Sequence, residues 1–396
     1  MPDIQNFNDT EVTFSTRTTK ELLRARFLFT MLGQTWLISM SKPILLWSLK
    51  IGLPIGPLIK KTVFAHFCGG ESLVECKGSI DALHERTGIK SILDYSVESA
   101  KNEASFDGTL QTLLEVCTFA QRRENVPFLV FKPSALGSLQ LFQKVSENQT
   151  LTPKEMEQWN RVIQRFRILC GAVAETGHLK VMVDAEESWG HPAVDWLVEE
   201  MMVLFNTERT VVFTTVQLYL DHKFSYLQRL KEIGKRHTVK LGVKLVRGAY
   251  MEKEGLRALE MGYPNPVCQD KATTDHNFDQ GTNFVLENLD SFELFLGTHN
   301  ELSCLGLLQK LHGMGIGPQD DRIWFGQLYG MGDNIGHILS QKGYNVAKYV
   351  PFGPVREVMP YLIRRMEENS SVGAQSSREL ELIKKELIRR KKTKTP

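Results

Sequence analysis

KVMVDAEESWGHPAVDWLVEEMMVLFNTERTVVFTTVQ, residues 180–217, reads as strand, helix and strand in succession. Its outer parts, Lys180–Asp184 and Val211–Gln217, are nearly continuous apolar runs. A strand with one wet face would alternate apolar and polar residues, so these read as strands covered on both sides. Between them, His191–Phe205 spaces its apolar residues at the helical period. Such a unit builds a parallel sheet, and it recurs in both directions. Toward the N-terminus lie the runs Ile89–Asp94 and Pro127–Phe131. Toward the C-terminus lie Leu241–Arg247, Glu293–Thr298, Arg322–Gln327 and Asn345–Val350. Helical spacing also marks Leu110–Arg122 and Lys154–Glu175, the latter opened by Thr152 as N-cap and Pro153 in the first turn. Eight strand–helix units predict an α/β fold, a (β/α)8 TIM barrel.

The totals allow this. The chain has 396 residues, 42% of them hydrophobic, and a formal net charge of +2. That balance speaks against a general nucleic-acid binder, which would carry a marked basic excess. Six cysteines without CxxC spacing give neither a zinc motif nor a disulfide framework, and point to a reducing compartment. Three segments are expected: an N-terminal helical region over 1–84, the barrel over 85–370, and a charged helix with a basic tail over 371–396. The opening MPDIQNFNDTEV carries acids and no early arginine, unlike a targeting leader, so a bacterial-type cytoplasmic protein is expected. From Phe27 to Ile59 the only charges are Lys42 and Lys50, but prolines and glycines keep every apolar run short of the ~18 residues that span a bilayer. A packed helical region is the plain reading of that stretch. Peripheral contact at the inner face of a membrane is the sharper one, because Trp36 and Trp47 suit an interface.

Function is expected where the strands end. Lys132, Asp184, Gln217, Arg247, Thr298-His299, Gln327 and Tyr349 stand at or just past the C-terminal ends of the runs, the rim where this fold places its chemistry. The last unit, Lys348–Asn369, adds two adjacent arginines, Arg364 and Arg365, on the helix after Tyr349. Arginine is a planar fork of donors that captures a carboxylate in bidentate fashion. The alternative is a solvated helix face paired with Glu367 and Glu368. Pro360 is expected to restart or kink that helix. In KLVRGAY, Lys244 and Arg247 both reach the rim if the strand ends near Val246, and Gly248 and Ala249 leave room for a ligand against the backbone. Two cations there suit an anionic ring or a pyrophosphate, or pair with rim acids such as Asp184. Lys132 is either a Schiff-base lysine, as in an aldolase, or an ammonium paired with Asp184. No metal site is expected from Asp184, Glu186 and Glu187, and no GxGxxG opens a helix after a strand. A non-enzymatic reading, a barrel scaffold docked to a membrane, also stands on composition alone.

The motifs CGGES (68–72), ILDYSVE (92–98), FKPSAL (131–136), VDAEES (183–188), KLVRGAY (244–250), GTHN (297–300), FGQLYGMGD (325–333) and YVPFGPVREVMPYLIRRMEEN (349–369) occur in this order, and on them the chain resembles the proline dehydrogenase family of flavoenzymes. The resemblance implies a distorted barrel that binds FAD at its rim. It implies oxidation of L-proline to 1-pyrroline-5-carboxylate, with hydride passing from C5 to flavin N5 and electrons moving on to a quinone. A separate pyrroline-5-carboxylate dehydrogenase would act next. Arg364 and Arg365 would hold the proline carboxylate, with Lys132 and Asp184 in the polar lining. Tyr349 and Leu328 would pack on the ring, and Lys244 would lie nearest N5. Asp184 and Lys244 would be the catalytic pair. Ala185, Gln217, Arg247, Gly248, Ala249, Thr298 and His299 would hold the rest of the FAD. Lys244 and Arg247 stand swapped relative to many bacterial members, and Ser134 replaces a usual Thr. Tyr349 is the residue expected of proline-specific members; hydroxyproline dehydrogenation is the alternative activity.

Overall fold

The computed structural model describes residues 4–32, 34, 56–96, 102–371 and 374–393. Eight strands form a closed barrel in sequence order: β1 Lys90–Tyr95, β2 Phe128–Phe131, β3 Lys180–Val183, β4 Val212–Gln217, β5 Leu241–Val246, β6 Phe292–Gly297, β7 Ile323–Leu328 and β8 Val346–Phe352. Each lies within two residues of the run that its sequence marks. Before β1 come α1 Thr10–Phe14, α2 Thr19–Leu32 and α3 Leu73–Thr87. Then α4 Glu103–Ala120 follows β1, and α5 Leu139–Ser146 and α6 Pro153–Glu175 follow β2. Next, α7 His191–Phe205 follows β3, α8 Lys223–His237 follows β4, and α9 Met251–Met261 and α10 Lys271–Leu286 follow β5. Finally, α11 Glu301–Gly313, α12 Asp333–Gln341 and α13 Val355–Ser371 follow β6, β7 and β8, and α14 Ala374–Thr393 comes last.

The Thr152 cap is present as a capping box with Glu155, and helix α7 has the expected bounds. Helix α4 begins seven residues before the apolar periodicity does, because Asn102 and Ser105 cap each other's backbone ahead of it. Helix α13 runs through Pro360 instead of being restarted by it. The last helix is no evenly solvated rod: Leu382, Ile383 and Leu387 are buried in one cluster with Leu22 and Phe29 of α2 and Val358 and Leu362 of α13. The tryptophans and lysines that suggested membrane contact, between residues 35 and 55, lie outside the described residues. Among the described residues, no helix is long and apolar enough to cross a membrane.

The chain divides into two compact units. One comprises Ser99–Thr298 and Asp320–Phe325; the other comprises Met1–Glu98, His299–Gln319 and Gly326–Pro396. In the first unit, Phe128 meets the rings of Phe213, Phe295 and Trp324 edge-on, with centroids 5.6, 5.5 and 5.0 Å away. Lys180 lies over the Phe128 and Phe213 rings and pairs with Glu293. All of these but Phe295 come from the first half of their strands, so they plug the N-terminal end of the barrel interior. Side chains alternate along a strand with period two. Counting on from the plug gives Phe128, Val130, Lys132; Lys180, Met182, Asp184; Phe213, Thr215, Gln217; and Gly242, Lys244. Four of the expected site residues thus share the plug's face, nearer the C-terminal ends.

Gly242 is part of that plug. A Cβ there would sit 2.5 Å from the Phe213 ring and 2.7 Å from the Val212 carbonyl oxygen, and neither can yield without moving a paired strand. Gly242→Ala is therefore expected to destabilise the protein by about 1–3 kcal/mol through overpacking. Urea unfolding would show this as a lower midpoint at unchanged slope.

Candidate active site

In the unit containing β2 to β6, the rim residues are tied into pairs. Lys244, 4% exposed, donates to the Asp184 carboxylate. This is the rim pairing that the sequence offered as one role for Lys244, and it satisfies a charge that would otherwise be costly to bury. Gln217, 2% exposed, donates from Nε2 to the Ala185 carbonyl at 3.3 Å, while its Oε1 is buried with no hydrogen-bond partner among the described residues. Strand β5 ends at Val246, so Arg247 enters the loop as expected. There it donates to Asp275 at 2.7 Å and to Thr298 Oγ1 at 3.2 Å, with its guanidinium 4.3 Å from the centre of the Phe278 ring. Gly248 has φ +143°, and a Cβ on it would lie 2.2 Å from the Tyr219 ring. Only glycine fits that turn, and Gly248 and Ala249 are both exposed at the surface.

Three supports here were not legible in the sequence. Glu186 accepts from both Ser134 N–H (2.8 Å) and Ser134 Oγ–H (2.7 Å), holding the loop that carries Lys132. Burial pushes the Glu186 carboxyl above its usual value, against the pull of those bonds and of the Lys132 charge. Glu254, at 0% exposure, takes the Ser188 N–H and hydroxyl, so α9 anchors the loop after β3. Asp275 orients Arg247. Each acts across a large sequence separation, and no local pattern marks it.

The other unit holds His299, Leu328, Tyr349, Arg364 and Arg365. Leu328 N–H donates to His299 Nε2 at 3.3 Å, which leaves the ring proton on Nδ1; that nitrogen is buried without a partner among the described residues. Burial, together with the positive charges of Lys348 and Arg365, pushes His299 down to about 3, so it is a neutral imidazole at physiological pH. Arg365 therefore lies in the electrostatic neighbourhood of His299, and its guanidinium also stacks 5.4 Å from the Tyr361 ring centre. Both arginines are half-buried, directly after the buried run Tyr361–Ile363. The side chains of Glu367 and Glu368, their alternative partners, lie outside those described. The carbonyl of Tyr349 accepts from Tyr329 N–H at 2.8 Å, which joins β8 to the end of β7. Lys348 was read only as the start of an apolar strand. It is 1% exposed, and its ammonium donates to the carbonyls of Leu328 (3.4 Å) and Met331 and to Asp333 (3.2 Å). Burial depresses its pKa, while Asp333 pulls the other way.

These features fit the FAD that the resemblance implies. Among the described residues, Gln217 Oε1 in one unit and His299 Nδ1 in the other are each buried without a hydrogen-bond partner. Gly248 and Ala249 are exposed, and a braced arginine suits a phosphate. Half-buried Arg364 and Arg365 suit a carboxylate. Among the described residues, no group of three His, Cys, Asp or Glu side chains is placed to hold a metal.

Comparison with known proteins gives the family. Residues 76–378 match the family model described as proline dehydrogenase. The chain is 36% identical over 358 residues to the carbapenem antibiotics biosynthesis protein CarD of Pectobacterium carotovorum, covering 89% of this chain and 91% of that one. It is 39% identical over 331 residues to the mitochondrial proline dehydrogenase 1 of Homo sapiens, covering 82% of this chain and 54% of that one. Among solved structures, proline utilization A from Bdellovibrio bacteriovorus superposes with a TM-score of 0.71 at 21% identity, over 92% of this chain and 36% of that one, a likeness of fold.

The state of His299 gives a pH dependence. Its value falls from 6.5 in the unfolded chain to about 3, so unfolding takes up a proton anywhere between the two, and this group's contribution to stability drops as pH falls through that window. His299→Gln removes the term. Between pH 6.5 and 4.5 the variant is expected to lose less stability than the parent, by on the order of 1–2 kcal/mol, read as the difference of urea midpoints at the two pH values.

Proposed function

The chain belongs to the proline dehydrogenase family, and from that premise we propose that it oxidises L-proline to 1-pyrroline-5-carboxylate with FAD as cofactor and a quinone as onward acceptor. The observation that carries this reading is the placement of Arg364 and Arg365. They are half-buried on the helix after β8, not spread over a solvated face, and Tyr349 precedes them on the strand.

Each group has work in the reaction. Proline loses a hydride from C5 and a proton from its nitrogen, so the C5–N bond becomes double. FAD, when bound, supplies the two-electron acceptor for that hydride. The nitrogen must be neutral for C5 to release hydride, so the ammonium proton leaves before or during transfer. Arg364 and Arg365 hold the carboxylate by charge-assisted hydrogen bonds, which fixes one end of the ring. Tyr349 and Leu328 pack against its carbons and keep water from C5. Lys132 and Asp184 line the polar side, and the Asp184–Lys244 pair presents a fixed dipole beside the reacting atoms. Gln217, Arg247, Thr298 and His299, with the backbone at Ala185, Gly248 and Ala249, hold the cofactor.

The partners in this reading are L-proline, a quinone and a separate pyrroline-5-carboxylate dehydrogenase. A cytoplasmic setting is supported by six free, buried cysteines. Peripheral membrane contact has support on α2, whose Leu23, Phe27 and Met31 are exposed along one face near Lys20 and Arg24.

Purified protein reconstituted with FAD is expected to be yellow and to bleach on anaerobic addition of proline; a protein that takes up FAD yet keeps its colour with proline sinks the reading. Arg364→Ala is expected to raise KM for proline at least about tenfold, through loss of roughly 1.5–3 kcal/mol of charged hydrogen bonding. Tyr349→Ser opens space beside the ring. It is expected to shift the ratio of kcat/KM for 4-hydroxyproline over proline upward by about tenfold, since one ring contact decides on the order of 1–3 kcal/mol.

A further inference from the structure

Five backbone polar atoms of the segment Leu328–Asp333, which joins β7 to α12, are held by side chains from outside it, and a sixth by the backbone of β8. Leu328 N–H donates to His299 Nε2 (3.3 Å), and Tyr329 N–H to the Tyr349 carbonyl (2.8 Å). The carbonyl of Gly330 accepts from His66 Nε2 at 2.9 Å. Lys348 takes the carbonyls of Leu328 and Met331. Gly332 N–H donates to Glu379 Oε1 at 2.7 Å. The Asp333 carboxylate closes the loop by pairing with Arg17 and Lys348. Three of these grips come from outside the matched residues 76–378: His66, ahead of α3, and two from nearer the chain's ends. Arg17 lies between α1 and α2, and Glu379 lies on α14, 4% exposed; both fall outside the matched residues 76–378.

Within the loop the backbone closes one turn, Met331 N–H to the Leu328 carbonyl at 3.2 Å. Gly330 and Gly332 both have positive φ, +78° and +60°, where glycine is freest. They are also where the packing is tightest. A Cβ on Gly330 would sit 2.3 Å from the His66 carbonyl, and one on Gly332 would sit 2.8 Å from His299 Nδ1. The residue fixed by Glu379 therefore buttresses the His299 ring, and the same loop begins with Leu328.

We propose that Glu379 and Arg17 are positioning residues for the reaction: from the two terminal segments they lock residues 328–333, and with them the Leu328 side chain and the His299 imidazole, in their working places. The proposal rests on the assignment of Leu328 and His299 to the proline and FAD sites. It adds that the terminal helices tune that site without touching substrate. Displacing a site group by about 1 Å costs on the order of a hundredfold in rate, so a loosened clamp is readable in kinetics while the barrel stays folded.

The test uses the full chain reconstituted with FAD. Glu379→Leu removes the acceptor for Gly332 N–H, whereas Glu379→Gln keeps an acceptor oxygen. Arg17→Gln opens the other end of the loop. Two readouts are taken, steady-state kinetics with proline and amide hydrogen exchange of the peptide covering 326–334. Glu379→Leu and Arg17→Gln are expected to lower kcat/KM about tenfold or more and to speed exchange in that peptide about tenfold, with the β2–β5 peptides unchanged. Glu379→Gln is expected to restore both values to within about twofold of the parent. Parent-like kinetics and exchange in Glu379→Leu or Arg17→Gln would overturn the proposal. So would faster exchange spread evenly over the barrel, because that marks a general stability role. If Glu379→Leu does not fold, Arg17→Gln decides alone on the same criteria. Failure of the parent itself to turn over proline would instead strike the function, and the exchange result would still judge the clamp.

Discussion

The ammonium of Lys348 is the constraint around which half of the molecule is arranged. An ion on the outer face of a barrel strand, 1% exposed, is tolerable only if every donor is met. The structure meets it with two carbonyls at the end of β7 and the Asp333 carboxylate at the start of α12. That carboxylate is held well below the usual range by the Arg17 and Lys348 charges, which outweigh the burial that opposes them. Glu379 meets the same cluster from the other side, and burial beside Asp333 pushes it up to about 7. One buried charge thus explains why the N-terminal turn, the last helix and the β7 loop come together. Burial keeps the His299 ring neutral, and the Lys348 charge of this cluster adds to it.

The unit holding β2 to β6 is organised differently. Its charged groups at the strand ends are met pair by pair: Lys244 with Asp184, Arg247 with Asp275 and Thr298, Glu186 with Ser134, and Glu254 with Ser188. Its dry end is an aromatic plug, and its polar end begins one or two alternations further along the same strands. Period-two alternation carries each strand from structure to chemistry within four residues, as in Phe128 to Lys132 and Phe213 to Gln217. This division of labour along one strand lets a packed barrel interior and a reactive rim share so short an element.

Much of this was legible in the chain itself. Continuous apolar runs with helical segments between them place all eight strands to within two residues, since burial on both faces leaves a clear composition. Polar residues at the ends of those runs pick out the rim, and the end of β5 at Val246 is where KLVRGAY turns from apolar to charged and small. What escaped had no periodic signal. Helix α4 gains its first two turns from a capping box, not from an apolar stripe. The terminal helix reads as charged in sequence, yet buries Leu382, Ile383 and Leu387 on a face that only α2 and α13 complete.

The sequence by itself determined the strand count, the parallel class and the residue types at the rim, because those depend on local burial and on spacing along the chain. Tertiary structure alone decided which ions pair. Lys244 chose Asp184, Arg247 chose Asp275, and Lys348 turned outward to the β7 loop instead of inward beside Tyr349. It alone placed Arg17 and Glu379 on one loop although 362 positions separate them in the chain. The physical reason is desolvation. A buried charge must find a partner wherever the fold brings one, and that partner's place in the sequence leaves no local mark.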